Sequence, residues 1–214
     1  MTATSSDCGG YDYSDAGLNA SHVYLIPAVV KILSTLNSTK EEKRIFELGC
    51  GNGSVSNELT KGGFEITGVD PSPDGVRNAK EHYPHLKIFS GSAYDDLAHR
   101  YGKFPIVLSL EVVEHLYFPR KFAAVVSDLL LPGGTAIIST PYHGSWKNLA
   151  LSLTGKMDDH FTALWDYGHI KFWSMSTLRT LLKEMGFEDI SFVRIGRIPM
   201  LAKSMIAIAR KPQQ

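Results

Sequence analysis

The sequence predicts an α/β protein built on a largely parallel sheet, and three observations carry that prediction. Strand-like apolar runs alternate with helical patterns from residue 44 onward, the signature of βαβ units. Two of the runs, IVLSL and AIIS, are apolar almost without a break, as in strands covered by helices on both faces. The first strand also passes directly into a glycine-rich turn and a helix, through Glu47-Leu48-Gly49-Cys50-Gly51-Asn52-Gly53-Ser54. A chain of 214 residues corresponds to one domain.

The elements follow in order. Residues 1–21 are rich in Ser, Gly, Asp and Tyr and are expected to form a flexible N-terminal segment, with 22–214 as the folded domain. From His22 to Leu36 the apolar residues Leu25, Val29, Ile32, Leu33 and Leu36 recur with a helical period. A polar connector, Asn37 to Lys43, leads into strands predicted at Arg44–Gly49, Glu65–Asp70, Leu86–Phe89, Pro105–Glu111 and Thr135–Thr140. Helices are predicted between them at Ser54–Lys61, Ser72–Tyr83 and Phe118–Leu131. The last meets Pro132-Gly133-Gly134, which reads as a helix stop followed by a turn. A lid-like insert over 142–173 holds all three tryptophans, Trp146, Trp165 and Trp173, and three of the eight histidines, His143, His160 and His169. A helix at Ser174–Met185, closed by Gly186, precedes two strands at Asp189–Ile195 and Ser204–Ala209, with a turn near Pro199.

Composition excludes several classes. Lys plus Arg and Asp plus Glu number 22 each, so the formal charge is zero. Nucleic acid is therefore not an expected partner, since phosphate binding selects a basic excess or stripe. With 43% hydrophobic and 21% charged residues the chain is not of the disordered type. No apolar run approaches the ~18 residues of a membrane span. The opening MTATSSDCGG lacks the basic and apolar regions of a signal peptide. The two cysteines, Cys8 and Cys50, make no disulfide framework, and a cytoplasmic setting is expected.

The glycine loop carries the first chemical inference. Glycines allow positive φ and close backbone approach to a ligand, and the helix N-terminus behind them offers free N–H groups. The second strand ends in Gly68-Val69-Asp70, and a carboxylate there can accept hydrogen bonds from both hydroxyls of a ribose. A nucleoside-containing cofactor is the result. The spacing Gly49-x-Gly51-x-Gly53 is not the G-x-G-x-x-G of dinucleotide sites. Glu47, just before the loop, suits a ligand carrying an amino group or sulfonium better than a pyrophosphate.

With these residues the chain resembles the class I S-adenosylmethionine-dependent methyltransferases. The resemblance rests on ELGCGNG (47–53), GVDPS (68–72), GSAYD (91–95), LSLEVVEHL (108–116) and LLLPGGTAIISTP (129–141). It implies a Rossmann-like seven-stranded sheet with helices on both faces and an antiparallel last strand. It also implies that Glu47, Gly49, Cys50, Gly51, Asn52 and Gly53 hold the methionine part. Asp70 and Pro71 would hold the ribose, Ser92 and Ala93 would border the adenine, and Leu110 would face the methionine end. Phe104-Pro105 departs from the usual Phe-Asp, at a strand start where proline is tolerated.

Glu111, Glu114 and His115 follow the fourth strand at its C-terminal end, where open α/β sheets place ligands. The i, i+3, i+4 spacing brings them to one face if a helical turn starts there. Two carboxylates and an imidazole suit a divalent ion, or a general base steadied by its neighbours. Here the chain resembles the ubiquinone-biosynthesis O-methyltransferases, down to Gly168-His169-Ile170-Lys171-Phe172. That likeness implies a magnesium-type ion (Mg2+) at Glu111, Glu114 and His115, and it adds His169 to His115 as a candidate catalytic residue.

In the insert, Trp146, Leu149, Ala150 and Leu153 recur at helical spacing and are expected to pack a lid onto the sheet. His143 is a further candidate pocket residue. Tyr11, Tyr13 and His22 lie ahead of the glycine loop, where an N-terminal aromatic closes over the cofactor in relatives. The expected activity is methyl transfer from S-adenosylmethionine to a hydroxyl oxygen of a small molecule, aromatic acceptors included. N- or C-methylation of another metabolite, or cofactor binding without transfer, are the alternatives. Peripheral membrane contact through the lid lacks the basic polar face of a surface-seeking helix.

Overall fold

The computed structural model describes residues 13–36 and 43–213, so Cys8, Tyr11 and most of the polar connector lie outside the described residues. Seven strands are found among them: β1 (Arg44–Leu48), β2 (Glu65–Asp70), β3 (Lys87–Ser90), β4 (Phe104–Leu110), β5 (Leu130–Pro141), β6 (Glu188–Ile195) and β7 (Ser204–Arg210). They form one sheet in the order β3-β2-β1-β4-β5-β7-β6. Strands β1 to β5 pair in parallel, and β7 runs antiparallel between β5 and β6. The chain leaves β1 toward β3 on one side and resumes with β4 on the other. A crevice therefore opens between the C-terminal ends of β1 and β4.

The two faces are sorted by the strand period of two. On β4 and β5, Ile106, Leu108 and Ile137 pack with α1 (His22–Thr35) and α2 (Ser54–Thr60). Their neighbours Val107, Ala136 and Ile138 pack with α5 (Pro119–Leu129) and α8 (Met175–Glu184). Helix α3 (Pro73–His82) closes a smaller cluster of Cys50, Val76, Ala79 and Ile88. It starts where it does because the Ser72 hydroxyl accepts from Gly75 N–H and Pro73 occupies the first turn. Helix α8 opens with a reciprocal capping box between Ser174 and Thr177.

Four local features differ from the sequence-based expectation. The helix does stop, at Leu129, but Pro132-Gly133-Gly134 forms no separate turn after it and lies within a strand. β5 already begins at Leu130, opposite Phe104, and its register shifts around Pro105 before resuming at Thr135. Gly133, at φ 73°, lets its N–H reach the carbonyls of Lys211 and Pro212. Pro105 therefore sits at a bulge, where its missing N–H breaks no ladder bond. Two short helices, α4 (Leu97–Tyr101) and α7 (Met157–Phe161), carry too few residues to show a period.

The insert helix α6 (Ser145–Leu153) forms as expected but faces the other way. Trp146 is 63% and Leu153 78% exposed, whereas Lys147 is buried. At the inward position the Lys147 ammonium donates to the Lys203 carbonyl at 3.3 Å, and its charge favours ionised Glu111, which an aromatic could not do. Trp165 is exposed as well, and of the three tryptophans Trp173 alone packs into the core. Fourth, the described residues of the expected flexible segment run against the glycine loop, where Asn52, Asn78 and Tyr83 hold their backbone carbonyls. No helix among the described residues is long and apolar enough to cross a membrane.

Phe122 is fully buried where α5 meets the sheet. Truncation to alanine, Phe122→Ala, is expected to cost about 3–5 kcal/mol of stability. Urea unfolding checks this as a lower midpoint at unchanged slope.

Candidate active site

A cleft of about 1050 Å³ opens over the C-terminal ends of β1, β2 and β4. Its floor is the turn after β1. Gly49 and Cys50 N–H both donate to the Val69 carbonyl, at 2.8 and 3.1 Å. Gly51 N–H donates to Asp70 Oδ2 at 2.8 Å. These bonds fold the turn back onto the end of β2, with Gly49, Gly51 and Gly53 at φ of 83, 51 and 74°. A Cβ on Gly49 would lie 2.4 Å from a Val112 methyl, and one on Gly51 would lie 2.3 Å from the Tyr13 hydroxyl oxygen. The backbone is bare toward the cleft because no side chain fits.

Two buried carboxyls face this floor. Asp70 Oδ1 accepts from Ser72 N–H at 2.8 Å, and burial lifts the group to about 6 against the pull of its two backbone donors. Each oxygen keeps a lone pair for a further donor. Glu47 accepts from the Ser56 hydroxyl, and burial, with Asp70 nearby, pushes it up to about 8. Among the described residues no cationic side chain pairs with either group. A ligand with vicinal hydroxyls for Asp70 and a cationic group for Glu47 matches this pair of acceptors, and S-adenosylmethionine carries both.

The remaining sequence candidates divide. Cys50, Asn52, Pro71, Ala93 and Leu110 line the cleft. Gly53 lies behind it as the left-handed N-cap of α2, packed on Ala79. Ser92 is committed to the turn that follows β3, its N–H donating to Asp95 and its hydroxyl accepting from Tyr94 N–H. Neither lines the cleft.

At the other end, Val113–His115 forms one 3-10 turn after β4. The His115 ring has its Nδ1 2.9 Å from the Tyr167 carbonyl and 3.2 Å from that of Gly168. Carbonyls only accept, so Nδ1 carries the proton and Nε2 keeps its lone pair. Burial lowers the affinity of His115 for a second proton. His169 stacks edge-on 4.9 Å from it, and burial and the neighbouring His115 push His169 down to about 4. The Glu114 carbonyl accepts from Ile170 and Lys171 N–H, both at 2.9 Å, which ties the His169 loop to the turn.

The trio of Glu111, Glu114 and His115 does not come together as a ligand set. Glu111 adopts a left-handed backbone, φ 55°, and its carboxyl accepts from Ser139 and Ser204 hydroxyls at 2.7 and 3.3 Å. His169 takes its place. Glu114, His115 and His169 each offer a ligand atom within 4.8 Å of the others. Glu114 is 1% exposed, neither of its oxygens has a hydrogen-bond partner, and burial beside Glu111 drives its pKa well up. One carboxylate and two imidazoles suit manganese-, iron- or zinc-like ions, whereas magnesium prefers oxygen ligands, so the set does not support Mg2+.

Several pocket residues carried little signal in the sequence. Asn19, Ala20 and Ser21 line the cleft beside His22 and Tyr13, and Phe161 closes the acceptor end. Lys147, the one charged residue of α6, does not line the cleft, and burial pushes it down to about 8. His143 packs behind Phe161, between His160 and Phe172, and does not line the cleft.

Residues 22–191 match the model of the methyltransferase domain family. The ubiquinone biosynthesis O-methyltransferase of Caulobacter sp. (strain K31) is 35% identical over 54% of this chain and 47% of its own length. That of Azorhizobium caulinodans is 30% identical over 68% of this chain and 58% of its own. The chain thus spans about half the length of the curated relatives it matches. Among solved structures, the methyltransferase domain of bacterial CtHen1-C superposes with a TM-score of 0.66 at 21% identity, over 88% of this chain and 97% of that one. The citrinin polyketide synthase CMeT domain gives 0.70 at 16% identity, over 89% of this chain and 53% of that one. At such identities the structural likeness speaks for the fold.

Two predictions follow from the buried carboxyls. Asp70→Asn is expected to weaken S-adenosylhomocysteine by about 1–3 kcal/mol, roughly 5- to 150-fold, read by calorimetry. Glu47 is mostly protonated at pH 7 in the free cleft, because its pKa is about 8. A cationic ligand favours the ionised form, so binding at pH 7 should release up to ~1 proton, fading by pH 9. The dependence of the binding heat on buffer ionisation measures it, and buffer-independent heat at pH 7 would contradict the pairing.

Proposed function

Because the chain belongs to the methyltransferase domain family and has the class I, S-adenosylmethionine-dependent fold, we propose that it methylates a hydroxyl oxygen of a small aromatic molecule. Asp70 holds the ribose hydroxyls, Glu47 the cationic amino acid end and Ala93 the adenine border. Leu110 directs the sulfonium end toward His115. When bound, S-adenosylmethionine supplies an activated methyl on a positively charged sulfur. The protein then has to align the acceptor and exclude water. A neutral hydroxyl must also lose its proton as its oxygen attacks.

The observation that supports an oxygen acceptor is the fixed tautomer of His115. Its Nδ1–H is held by the Tyr167 and Gly168 carbonyls, which leaves the Nε2 lone pair of a cleft-lining residue to take a proton. An amine acceptor free of its proton would have no use for such a base. Phe161, Trp165 and Tyr167 line the same end and suit a flat ring. The ubiquinone-biosynthesis relatives favour the same acceptor class. His169, stacked on His115 and facing Glu114, orients the pair.

A second reading is favoured by the buried Glu114 carboxyl, which faces His169 Nε2 at 4.0 Å without a hydrogen bond. Glu114, His115 and His169 would hold a divalent ion, which would bind the acceptor oxygen and acidify it.

His115→Ala is expected to lower kcat by about 10²- to 10⁴-fold on a catechol-type acceptor while S-adenosylhomocysteine affinity changes little. Turnover that is indifferent to this change would remove His115 from the chemistry. Chelation separates the two readings. Activity that survives it leaves His115 as a base, and activity lost and then restored by manganese supports the ion.

A further inference from the structure

The sheet face that packs with α5 and α8 is not covered out to its β3 edge. A crossover between parallel strands usually lays a helix across the sheet. From β3 to β4 it carries only the five residues of α4, which bury Leu97 and leave Glu65, Lys87 and Phe89 exposed. Strand register brings the nearby charges to this same face, because Arg44 pairs with Glu65 and Thr67 with Lys87. Arg44, Glu65 and Lys87 each open their strand, so they lie at the end of the sheet opposite the cofactor cleft. A cavity of about 330 Å³ is formed there, and none of its lining residues is shared with the cleft.

The chain as a whole has zero formal charge, yet three cations and one acid line this cavity. Lys87 is paired with Glu65. The two guanidiniums form no ion pair among the described residues. Arg44 stacks 4.7 Å from the Phe104 ring centre with Nη2 donating to the Lys103 carbonyl at 3.5 Å, and Arg100 lies 5.2 Å from the Tyr101 ring centre. A guanidinium stacked on a ring keeps N–H groups at its edge, and that planar fork matches the oxygens of a carboxylate or phosphate. Phe89, 37% exposed, meets Tyr101 at 5.3 Å between ring centres, with Phe46 and Phe104 behind them. The Tyr101 hydroxyl is buried without a hydrogen-bond partner among the described residues. Cations held on an aromatic wall are the chemistry of a site for a flat anion.

We propose that this cavity is a second ligand site, which takes a small flat ring bearing one carboxylate or phosphate. The ring lies against Phe89, and the anionic group meets the N–H edges of Arg44 and Arg100. The volume stands at the small end of the ~300–1,000 Å³ of ligand pockets, which selects a small molecule. Glu65 is the one lining charge that opposes the anion. The site does not depend on what occupies the cleft.

The test titrates benzoate, phenyl phosphate, inorganic phosphate and benzyl alcohol into the unaltered protein and into Arg44→Gln, Arg100→Gln and Glu65→Gln. The readouts are calorimetry and amide chemical shifts. Benzoate or phenyl phosphate should bind with shifts at residues 87–89 and 100–104, and the tighter of the two identifies the anionic group. Arg44→Gln and Arg100→Gln should each weaken it about tenfold, through a lost charged hydrogen bond. Glu65→Gln should tighten it, because the opposing charge is gone. All three variants should keep the S-adenosylhomocysteine affinity of the unaltered protein. Absence of binding by both aromatic anions would overturn the site, as would binding unmoved by both arginine variants or shifts confined to the cleft. Inorganic phosphate or benzyl alcohol binding as tightly as the aromatic anions would overturn the assignment of a flat anion.

Discussion

A buried carboxylate at the end of β2 fixes the turn at the end of β1, and the rest of the cleft is arranged around that pair. Asp70 takes the Gly51 N–H with one oxygen and the Ser72 N–H with the other. The first bond pins the glycine turn, and the second sets the start of α3. From the pinned turn α2 departs at Gly53, and Tyr13 finds a flat surface at Gly51. Because the two donors are backbone groups, the carboxylate remains buried without a cation beside it. The energetic tension of that arrangement shows in its raised pKa and in that of Glu47. A ligand bringing hydroxyls and a positive charge relieves both.

The acceptor end is built on a different balance. Glu111 and Glu114 are buried close together, and burial raises both, Glu111 to about 7 and Glu114, with the Glu111 charge beside it, well above the usual carboxyl range. Around them burial pushes His143 and His169 down to about 4, where the neutral form prevails at pH 7, and Lys147 down to about 8, where the charge is kept. Burial thus disfavours charge on both kinds of group. The inner face of α6 carries Lys147, whose ammonium donates to the Lys203 carbonyl, and the large apolar residues of the helix lie outside.

Much of the scaffold was legible in the sequence, for local reasons. Glycine spacing, the strand-terminal Asp70 and the apolar runs each follow from what one short segment must do, and the elements from His22 to Arg210 lie close to their expected places. The site was less legible wherever a residue's role depends on what lies opposite. The spacing of Glu111, Glu114 and His115 promises one face, but a left-handed Glu111 and the hydroxyls of Ser139 and Ser204 draw it aside. The apolar period of α6 is real and names a face, yet nothing local says which side is wet. Asn52 reads as part of the ligand loop, and its actual partners lie more than thirty residues earlier in the chain.

The account stands most directly on where a bound cofactor product lies. A crystal structure with S-adenosylhomocysteine should place its ribose hydroxyls on Asp70, its amino group beside Glu47, and its sulfur toward Leu110 and His115. An occupant whose ribose does not meet Asp70, or a cleft that stays empty at saturating ligand, would contradict it.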